Sequence, residues 1–156
     1  MIEINNESAI DVDETVLQRL TDFNLAQMHV SPDAEVAIVL VDEAAMEALH
    51  VQWMDEPGPT DVLSFPMDEL RPGSANTPAE SGILGDVVIC PAVAAEQAAA
   101  GGHSVQDEVL LLTTHGLLHL MGFDHDEEAE RAEMFGLQRK LLESFLGRPA
   151  PKETVE

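Results

Sequence analysis

Three histidines in the C-terminal half of the chain could bind one metal ion. His115, His119 and His125 fall within eleven residues, although the whole chain contains only six histidines. His115 and His119 are four residues apart in an apolar run that starts at Val109, so a helix would place both imidazoles on one face. Gly122 can adopt a positive φ and end that helix, which would turn His125 back toward the other rings. This spacing predicts a three-imidazole site for a cation such as zinc, with bonds of about 2.0–2.1 Å.

The rest of the sequence predicts that this metal site is open and catalytic. Structural zinc sites usually have four protein ligands, many of them thiolates, whereas this chain contains one cysteine, Cys90. Three neutral ligands leave one coordination position for water, and the pKa of that water falls toward about 7. Ordinary zinc-peptidase chemistry is disfavoured because the H-E-x-x-H pattern places a general-base glutamate after the first histidine, and Gly116 occupies that position here. The sequence therefore favours another hydrolytic chemistry.

Three blocks of sequence carry a family resemblance. They are H-G-L-L-H-L-M-G-F-D-H at 115–125, P-T-D-V-L-S-F-P at 59–66 and L-G-D-V-V-I-C at 84–90. They are similar to the H-G-x-L-H-L-x-G-[YF]-D-H, P-T-[DN]-V-L-S-F-P and L-G-D-[IV]-x-I-[CS] signatures of the YbeY family. Members of that family are bacterial metal-dependent endoribonucleases that are also called rRNA maturation factors. The blocks occur in the family's order, and the similarity extends from about residue 35 to residue 146.

The resemblance implies a function, a cofactor and partners. It makes His115, His119 and His125 the ligands of one zinc ion and the residues that act in catalysis through it. The implied activity is endonucleolytic cleavage of precursor rRNA, in 3′-end maturation of small-subunit rRNA and in ribosome quality control. The implied partners are that RNA and the small ribosomal subunit with its proteins or assembly factors. Many members carry an arginine implicated in activity just before the second block, and the matching position here is Met54.

The sequence leaves the proton-transfer residue and two rival functions open. Asp124 could act as a base beside the metal, but it could equally hold a histidine tautomer or cap the turn, which we favour. One rival function is a zinc peptidase or amidase of metzincin-like geometry, against which the missing glutamate at position 116 counts. The other is a non-catalytic ribosome-assembly factor whose zinc braces the fold. The strong negative charge and Met54 keep that second rival open.

The charge balance is unusual for a protein that would bind RNA. Seven lysines and arginines against thirty acidic residues give a formal net charge of −23, and Arg71 is the single basic side chain between Arg19 and Arg131. Nucleic-acid affinity normally depends on cations that displace phosphate counterions. The composition instead fits an enzyme brought to RNA by a protein partner, or one whose acidic surface faces basic ribosomal proteins. The alternative is a solvated acidic surface with no role in recognition.

Length and composition predict one cytoplasmic domain. A chain of 156 residues with 45% hydrophobic residues can bury a sizeable core and fold alone. We expect a domain at 1–148 and a polar tail at 149–156. A single cysteine excludes a disulfide within the chain. The sequence has neither a signal-peptide pattern nor an apolar run of about 18 residues, so we expect no membrane partner.

Hydrophobic periodicity and turn residues predict four strands and about five helices that do not strictly alternate. This order indicates a single α+β domain with a mixed sheet of about four strands and a central, buried helix that carries the metal ligands. The predicted strands are 1–5, 35–41, 62–67 and 83–90. The predicted helices run from 11 or 13 to 29, over 42–52 and 91–101, from 104 to the stop at 122, and over 126–146.

Three polar residues near these elements have open roles. Pro66 predicts an edge position or an early end for the third strand. Ser64 in that strand could offer a hydroxyl to a substrate, or it could be an ordinary strand residue whose hydrogen bonds are satisfied. Asp86 lies in an apolar strand, so we expect it either at a solvent-exposed end or in a hydrogen bond that orients a histidine. Residues 68–82 predict a mobile hairpin-like connection. Arg71 in that connection could reach a phosphate, although we expect it to face solvent.

Overall fold

Four strands and five helices make up the part of the chain that the computed structural model describes, residues 1–77 and 80–153. In chain order they are β1 (Ile2–Asn6), α1 (Glu14–Gln27), β2 (Glu35–Leu40), α2 (Glu43–Met54), β3 (Val62–Pro66), β4 (Ile83–Ile89), α3 (Pro91–Gly101), α4 (Val105–Leu120) and α5 (Glu128–Leu146). The predicted α+β class, with five helices and a four-stranded mixed sheet, is confirmed.

The sheet has the strand order β1-β2-β4-β3. β1, β2 and β4 are parallel, whereas β3 pairs antiparallel with β4 and forms one edge. The edge position predicted from Pro66 is therefore correct, and the loop between β3 and β4 is a hairpin connection, as expected. In this register Ser64 lies opposite Val87. Because side chains alternate along a strand, Asp86 points to the sheet face opposite Val87.

The helix that carries His115 and His119 is the most buried element of the fold. In α4, 12 of the 16 residues are buried, and the helix contacts α1, α3, α5, β3 and β4, which confirms the predicted central position. The Ser104 hydroxyl caps its first turn by accepting from the Asp107 amide at 3.0 Å. The Asp107 carboxylate accepts from Arg148 at 2.9 Å.

Several predicted helix boundaries shift by two residues because of backbone conformation. α1 begins after its cap at Asp13 and ends at Gln27, since the exposed His29 adopts a left-handed φ of 55°. α2 continues two residues beyond the predicted end at 52 and stops at Asp55, also at φ 55°. α5 begins at 128 rather than 126, because Glu127 is still extended. These ends depend on local φ and ψ values, which hydrophobic periodicity does not specify.

The structure describes only part of the predicted C-terminal tail and of the predicted mobile connection. Residues up to 153 are described, and Ala150 packs against the core while its amide donates to Glu143 at 3.1 Å. Arg139 forms an ion pair with Glu153. Residues 154–156 of the predicted tail, and 78–79 of the predicted mobile connection, lie outside the described residues. Within the described ranges, no helix combines the length and apolar character needed to cross a bilayer.

A glycine in the middle of α4 lets the helix approach the sheet closely. A Cβ atom on Gly116 would lie 2.6 Å from Val87 Cγ1 and 3.2 Å from Ser64 Oγ. The Ser64 hydroxyl also donates to the Gly116 carbonyl at 3.1 Å. The side chain that H-E-x-x-H enzymes carry at this position would therefore collide with β3 and β4, so the glycine is required by packing.

We expect Gly116→Ala to destabilise the protein. Overpacking against Val87 and Ser64 should cost about 1–3 kcal/mol, while alanine should recover about 1 kcal/mol of helix propensity, so urea unfolding should show a net loss of up to about 2 kcal/mol. Gly136→Ala is the matched control, because Gly136 is helical, exposed and has open space around its Cβ position. That control should stabilise the protein by about 0.5–1 kcal/mol. Equal gains in both variants would contradict the close contact.

Candidate metal centre

The three predicted histidines converge at the end of α4. His115 and His119 lie on successive turns, α4 ends at Leu120, and Gly122 turns the chain with φ 97°. His125 then returns, so one ligand nitrogen from each ring lies within 4.8 Å of the others. The Nε2 atoms of His115 and His119 are 3.1 Å apart. Two nitrogen ligands of a tetrahedral zinc would lie about 3.3 Å apart at normal bond lengths, so this donor set fits such an ion.

A buried glutamine on α5 fixes the orientation of the first imidazole. The Nδ1–H of His115 donates to Gln138 Oε1 at 2.9 Å, because an amide oxygen can only accept. This bond leaves the His115 Nε2 lone pair directed at the other two rings, as metal ligation requires. The sequence reasoning missed Gln138. The sequence feature that could have indicated Gln138 is a polar residue on the apolar side of α5, beside the buried Leu141 and Leu142.

Burial keeps two of the imidazoles neutral. The pKa of His115 is lowered to about 3, chiefly by burial and then by the neighbouring His119. The pKa of His119 is also lowered, again chiefly by burial and then by His125. A protonated ring has no lone pair to offer a cation. The fold therefore holds these donors in the state that binds metal at neutral pH.

Asp124 is a turn cap in this arrangement. Its Oδ1 accepts from the His125 amide at 2.7 Å, and this hydrogen bond is the main reason that the pKa of Asp124 is lowered. The side chain borders a neighbouring cavity that Arg71 also lines, rather than the cavity of the three imidazoles. This is the capping role favoured from sequence, and it positions the backbone of His125.

The three imidazoles line an open cavity of about 550 Å³. Asp61 is the one carboxylate in the described lining, and no lysine or arginine lines it. The Asp61 oxygens accept from the Val62 amide at 2.7 Å and from the Gln97 side chain at 3.3 Å. Burial raises the pKa of Asp61 above its ordinary value. The sequence reasoning passed over this residue, although it stands in the P-T-D-V-L-S-F-P block.

The structure also places the other three polar candidates. Ser64 lines the cavity, but its hydroxyl donates to the Gly116 carbonyl. Asp86 lies on the sheet face away from Val87 and α4, and it borders a shallow depression near Met1 and Glu3. It therefore does not orient an imidazole, and Gln138 does so instead. Arg71 is exposed, and its guanidinium packs against Gly122, where a Cβ would lie 2.8 Å from Arg71 Cζ.

The remaining histidines lie outside the cluster. His29 is exposed at the end of α1. His50 Nδ1 lies 2.9 Å from the Gly58 carbonyl, a contact that holds the loop after α2. His103 pairs with the fully buried Glu108.

The family of the chain follows from sequence comparison. The sequence model of the YbeY family, described as Endoribonuclease YbeY, matches residues 2–146. The chain belongs to the YbeY family. A relative named Endoribonuclease YbeY from Clavibacter michiganensis subsp. michiganensis is 69% identical over 144 residues, which cover 92% of this chain and 94% of the relative. A second YbeY relative, from Renibacterium salmoninarum, is 63% identical over 154 residues, or 99% of this chain and 98% of the relative.

A solved structure has the same fold as this YbeY family member. The solution structure of TM1509 from Thermotoga maritima matches with a TM-score of 0.64 and 30% sequence identity. The match covers 94% of this chain and 90% of that chain. The family similarity therefore extends over the sheet, α4 and the returning loop that together build the histidine cluster.

We expect Gln138→Ala to weaken metal binding without unfolding the protein. The substitution removes the acceptor for His115 Nδ1–H, and loss of such an outer hydrogen bond typically lowers metal affinity by about 10–100-fold. Competition with a chromophoric chelator would measure the zinc Kd. Gln138→Glu is the matched control, because it keeps an acceptor of similar size and should retain tight binding. An unchanged Kd in the alanine variant would contradict the orienting role.

The stability of the metal-free protein should fall as the pH drops from about 7 to about 5. Unfolded chains protonate histidine near its ordinary pKa of 6.5, whereas folded His115 stays neutral down to about 3. The unfolded state then binds more protons, so lower pH favours unfolding. Urea unfolding at a series of pH values would measure this slope. The slope should be shallower in His115→Gln, and an equally steep slope in that variant would contradict the assignment.

Proposed function

We propose that this protein is a zinc-dependent endoribonuclease that acts in rRNA processing. The observation that carries the proposal is the convergence of His115, His119 and His125 in an open cavity, in a chain that belongs to the YbeY family. The relatives with the highest identity reported above are named endoribonucleases. Three protein ligands leave room for a further ligand, which is the arrangement of catalytic zinc sites.

Each residue of the centre has a defined task in the proposed reaction. When bound, the ion would supply Lewis-acid activation of water and of the scissile phosphate. His115, His119 and His125 would hold that ion, and Gln138 would fix the tautomer of His115. Asp61 is better placed than Asp124 to exchange a proton with the substrate, because it lines the cavity and its pKa is raised by burial.

Two rival functions fit the geometry less well. A peptidase of H-E-x-x-H type needs a glutamate after the first histidine, and position 116 is packed against Val87 and Ser64. A structural zinc that only braces the fold would normally be closed by a fourth protein ligand. The described residues offer three histidines in one cluster, and that cluster faces a cavity.

The substrate and the setting extend the same proposal. We propose precursor rRNA as the substrate, with cleavage near the 3′ end of small-subunit rRNA and a part in ribosome quality control in the cytoplasm. A chain with a formal net charge of −23 cannot rely on a general electrostatic attraction to RNA. Basic proteins of the small ribosomal subunit, or its assembly factors, are complementary to this acidic surface and would deliver the enzyme to its substrate.

We expect His119→Ala to lose both stoichiometric zinc and cleavage of an rRNA precursor. Removing one of three ligands destroys the chelate, so metal content measured by atomic emission should fall well below one ion per chain. Cleavage by zinc-loaded protein would be followed on a labelled precursor by gel electrophoresis. His29→Ala removes an exposed imidazole that is not part of the cluster and should change neither quantity.

Three results would contradict the proposal in different ways. Full RNA cleavage after chelation of all metal would eliminate the metal-dependent reaction. Turnover of peptides by the zinc-loaded protein, with no turnover of RNA, would favour the peptidase instead. Retention of one zinc per chain in His119→Ala would show that the ion is bound elsewhere.

A further inference from the structure

A fully buried carboxylate lies on the helix that carries two of the metal ligands. Glu108 is in the first turn of α4 and is 0% exposed. It precedes His115 by seven residues, which is about two helical turns, so both side chains leave the same side of α4. Burying a carboxylate is costly unless it is hydrogen-bonded, and apolar residues of similar volume are often at least as stabilising. The stability of the domain therefore does not explain Glu108.

Glu108 belongs to a chain of polar side chains that begins at the wall of the metal cavity. Gln97 on α3 donates from Nε2 to Glu108 Oε2 at 3.0 Å and to Asp61 Oδ2 at 3.3 Å. The other oxygen of Glu108 accepts from His103 Nε2, and the His103 side chain is 11% exposed. Asp61 and Gln97 both line the cavity together with the three imidazoles. The chain of hydrogen bonds therefore connects the cavity with the beginning of α4.

The Asp61 carboxylate is held at both of its oxygens. Oδ1 accepts from the Val62 amide at 2.7 Å and from the Thr60 hydroxyl at 3.3 Å, and Oδ2 accepts from Gln97. The backbone carbonyl of Asp61 accepts from the Cys90 amide at 2.9 Å, which ties this residue to the end of β4. The backbone and the side chain of Asp61 are thus both fixed at the cavity wall.

Gln97 can orient Asp61, but it cannot carry a proton away from it. A side-chain amide nitrogen is a donor only, and Gln97 directs this nitrogen at both carboxylates. Burial raises the pKa of Asp61, and the hydrogen bonds from Val62 and Gln97 oppose that rise. The other titratable groups in the described lining of the cavity are the three histidines, and Glu108 faces Asp61 through Gln97. Gln97 therefore favours the ionised form of Asp61.

We propose that Gln97 is a positioning residue that holds Asp61 in the cavity as the base of the cleavage reaction. Glu108, paired with His103, fixes the Gln97 amide for this task. The inference rests on the proposed ribonuclease function and deepens it. Asp61 takes a proton from the water whose oxygen bonds to phosphorus, and it returns that proton to the ribose oxygen that leaves phosphorus. Displacement of a reacting group by about 1 Å can lower a rate by about 100-fold, so the support of this carboxylate matters.

Gln97→Met in the full-length protein tests the proposal without relying on activity. Methionine is similar in length to glutamine but offers no donor to Asp61. The pKa of Asp61 should therefore rise in metal-free Gln97→Met relative to the metal-free unmodified protein. Carbon-13 NMR of the side-chain carboxyl group would measure that pKa, and the missing resonance in Asp61→Asn would assign it.

The same variant has a defined kinetic effect in zinc-loaded protein. Gln97→Met should lower kcat on a labelled rRNA precursor by about 10–100-fold and change KM by less than about twofold. Asp61→Asn should lower kcat by about 10²–10⁴-fold, as expected for loss of a base. Because the base must be ionised, the acidic limb of the pH–rate profile should move to higher pH in Gln97→Met.

Matched variants separate positioning from general effects on the fold. Gln27→Met makes the same substitution at an exposed position at the end of α1 and should change neither the Asp61 pKa nor kcat. Glu108→Gln keeps an acceptor for the Gln97 amide and should retain a kcat close to that of the unmodified protein. Glu108→Met removes the acceptor and should reproduce the kinetic effect of Gln97→Met. The two Glu108 variants also decide the question if Gln97→Met does not fold.

The outcomes distinguish this inference from the proposed function. An unchanged Asp61 pKa or an unchanged kcat in Gln97→Met would overturn the positioning role while leaving metal-dependent cleavage intact. Equal rates in Glu108→Gln and Glu108→Met, or full cleavage by Asp61→Asn, would do the same. Loss of zinc from Gln97→Met would also overturn it, in favour of a role in building the metal site. A raised Asp61 pKa in Gln97→Met, with no RNA cleavage by the zinc-loaded unmodified protein, would support the positioning of Asp61 and contradict the ribonuclease proposal.

Discussion

The close contact between α4 and the sheet at Gly116 determines where the metal centre lies. Because no side chain separates the helix from Val87 and Ser64, the last two turns of α4 run directly against β3 and β4. His115 precedes Gly116 in the chain and His119 follows it. The contact therefore brings both histidines next to the edge strand. The cavity lies at that edge, so the same packing that buries α4 places its two imidazoles in the cavity wall.

The polar side chains that are buried with α4 need hydrogen-bond partners, and the neighbouring helices supply them. Asn24 on α1 donates to Thr114 Oγ1 at 3.0 Å, and Gln138 on α5 accepts from His115. Each amide keeps one buried atom, Asn24 Oδ1 or Gln138 Nε2, without a hydrogen-bond partner among the described residues. Burying such atoms is costly. The protein tolerates that cost where the two amides hold the helix and its first imidazole in place.

A strongly acidic chain is compatible with the proposed RNA cleavage, because long-range attraction to RNA and local orientation of the substrate depend on different groups. A chain of net charge −23 repels RNA at long range, yet the contacts that would orient a substrate at the cavity are local and mostly uncharged. They are the three imidazoles that could hold a metal ion and one partly buried carboxylate, Asp61. Long-range attraction can then come from a basic partner, whereas cleavage depends on the geometry of the cavity.

Local periodicity and residue chemistry were enough to predict the histidine cluster, the turn at Gly122, the element types and the edge position of β3. They did not place Gln138 or Asp61 at the centre, and they left the role of Asp86 undecided. Those assignments depend on which elements pack together: Gln138 reaches His115 across 23 residues of chain, and Asp86 faces the other side of the sheet. Only the tertiary structure brings such distant residues together, since side-chain contacts between elements are not encoded in the spacing of either one.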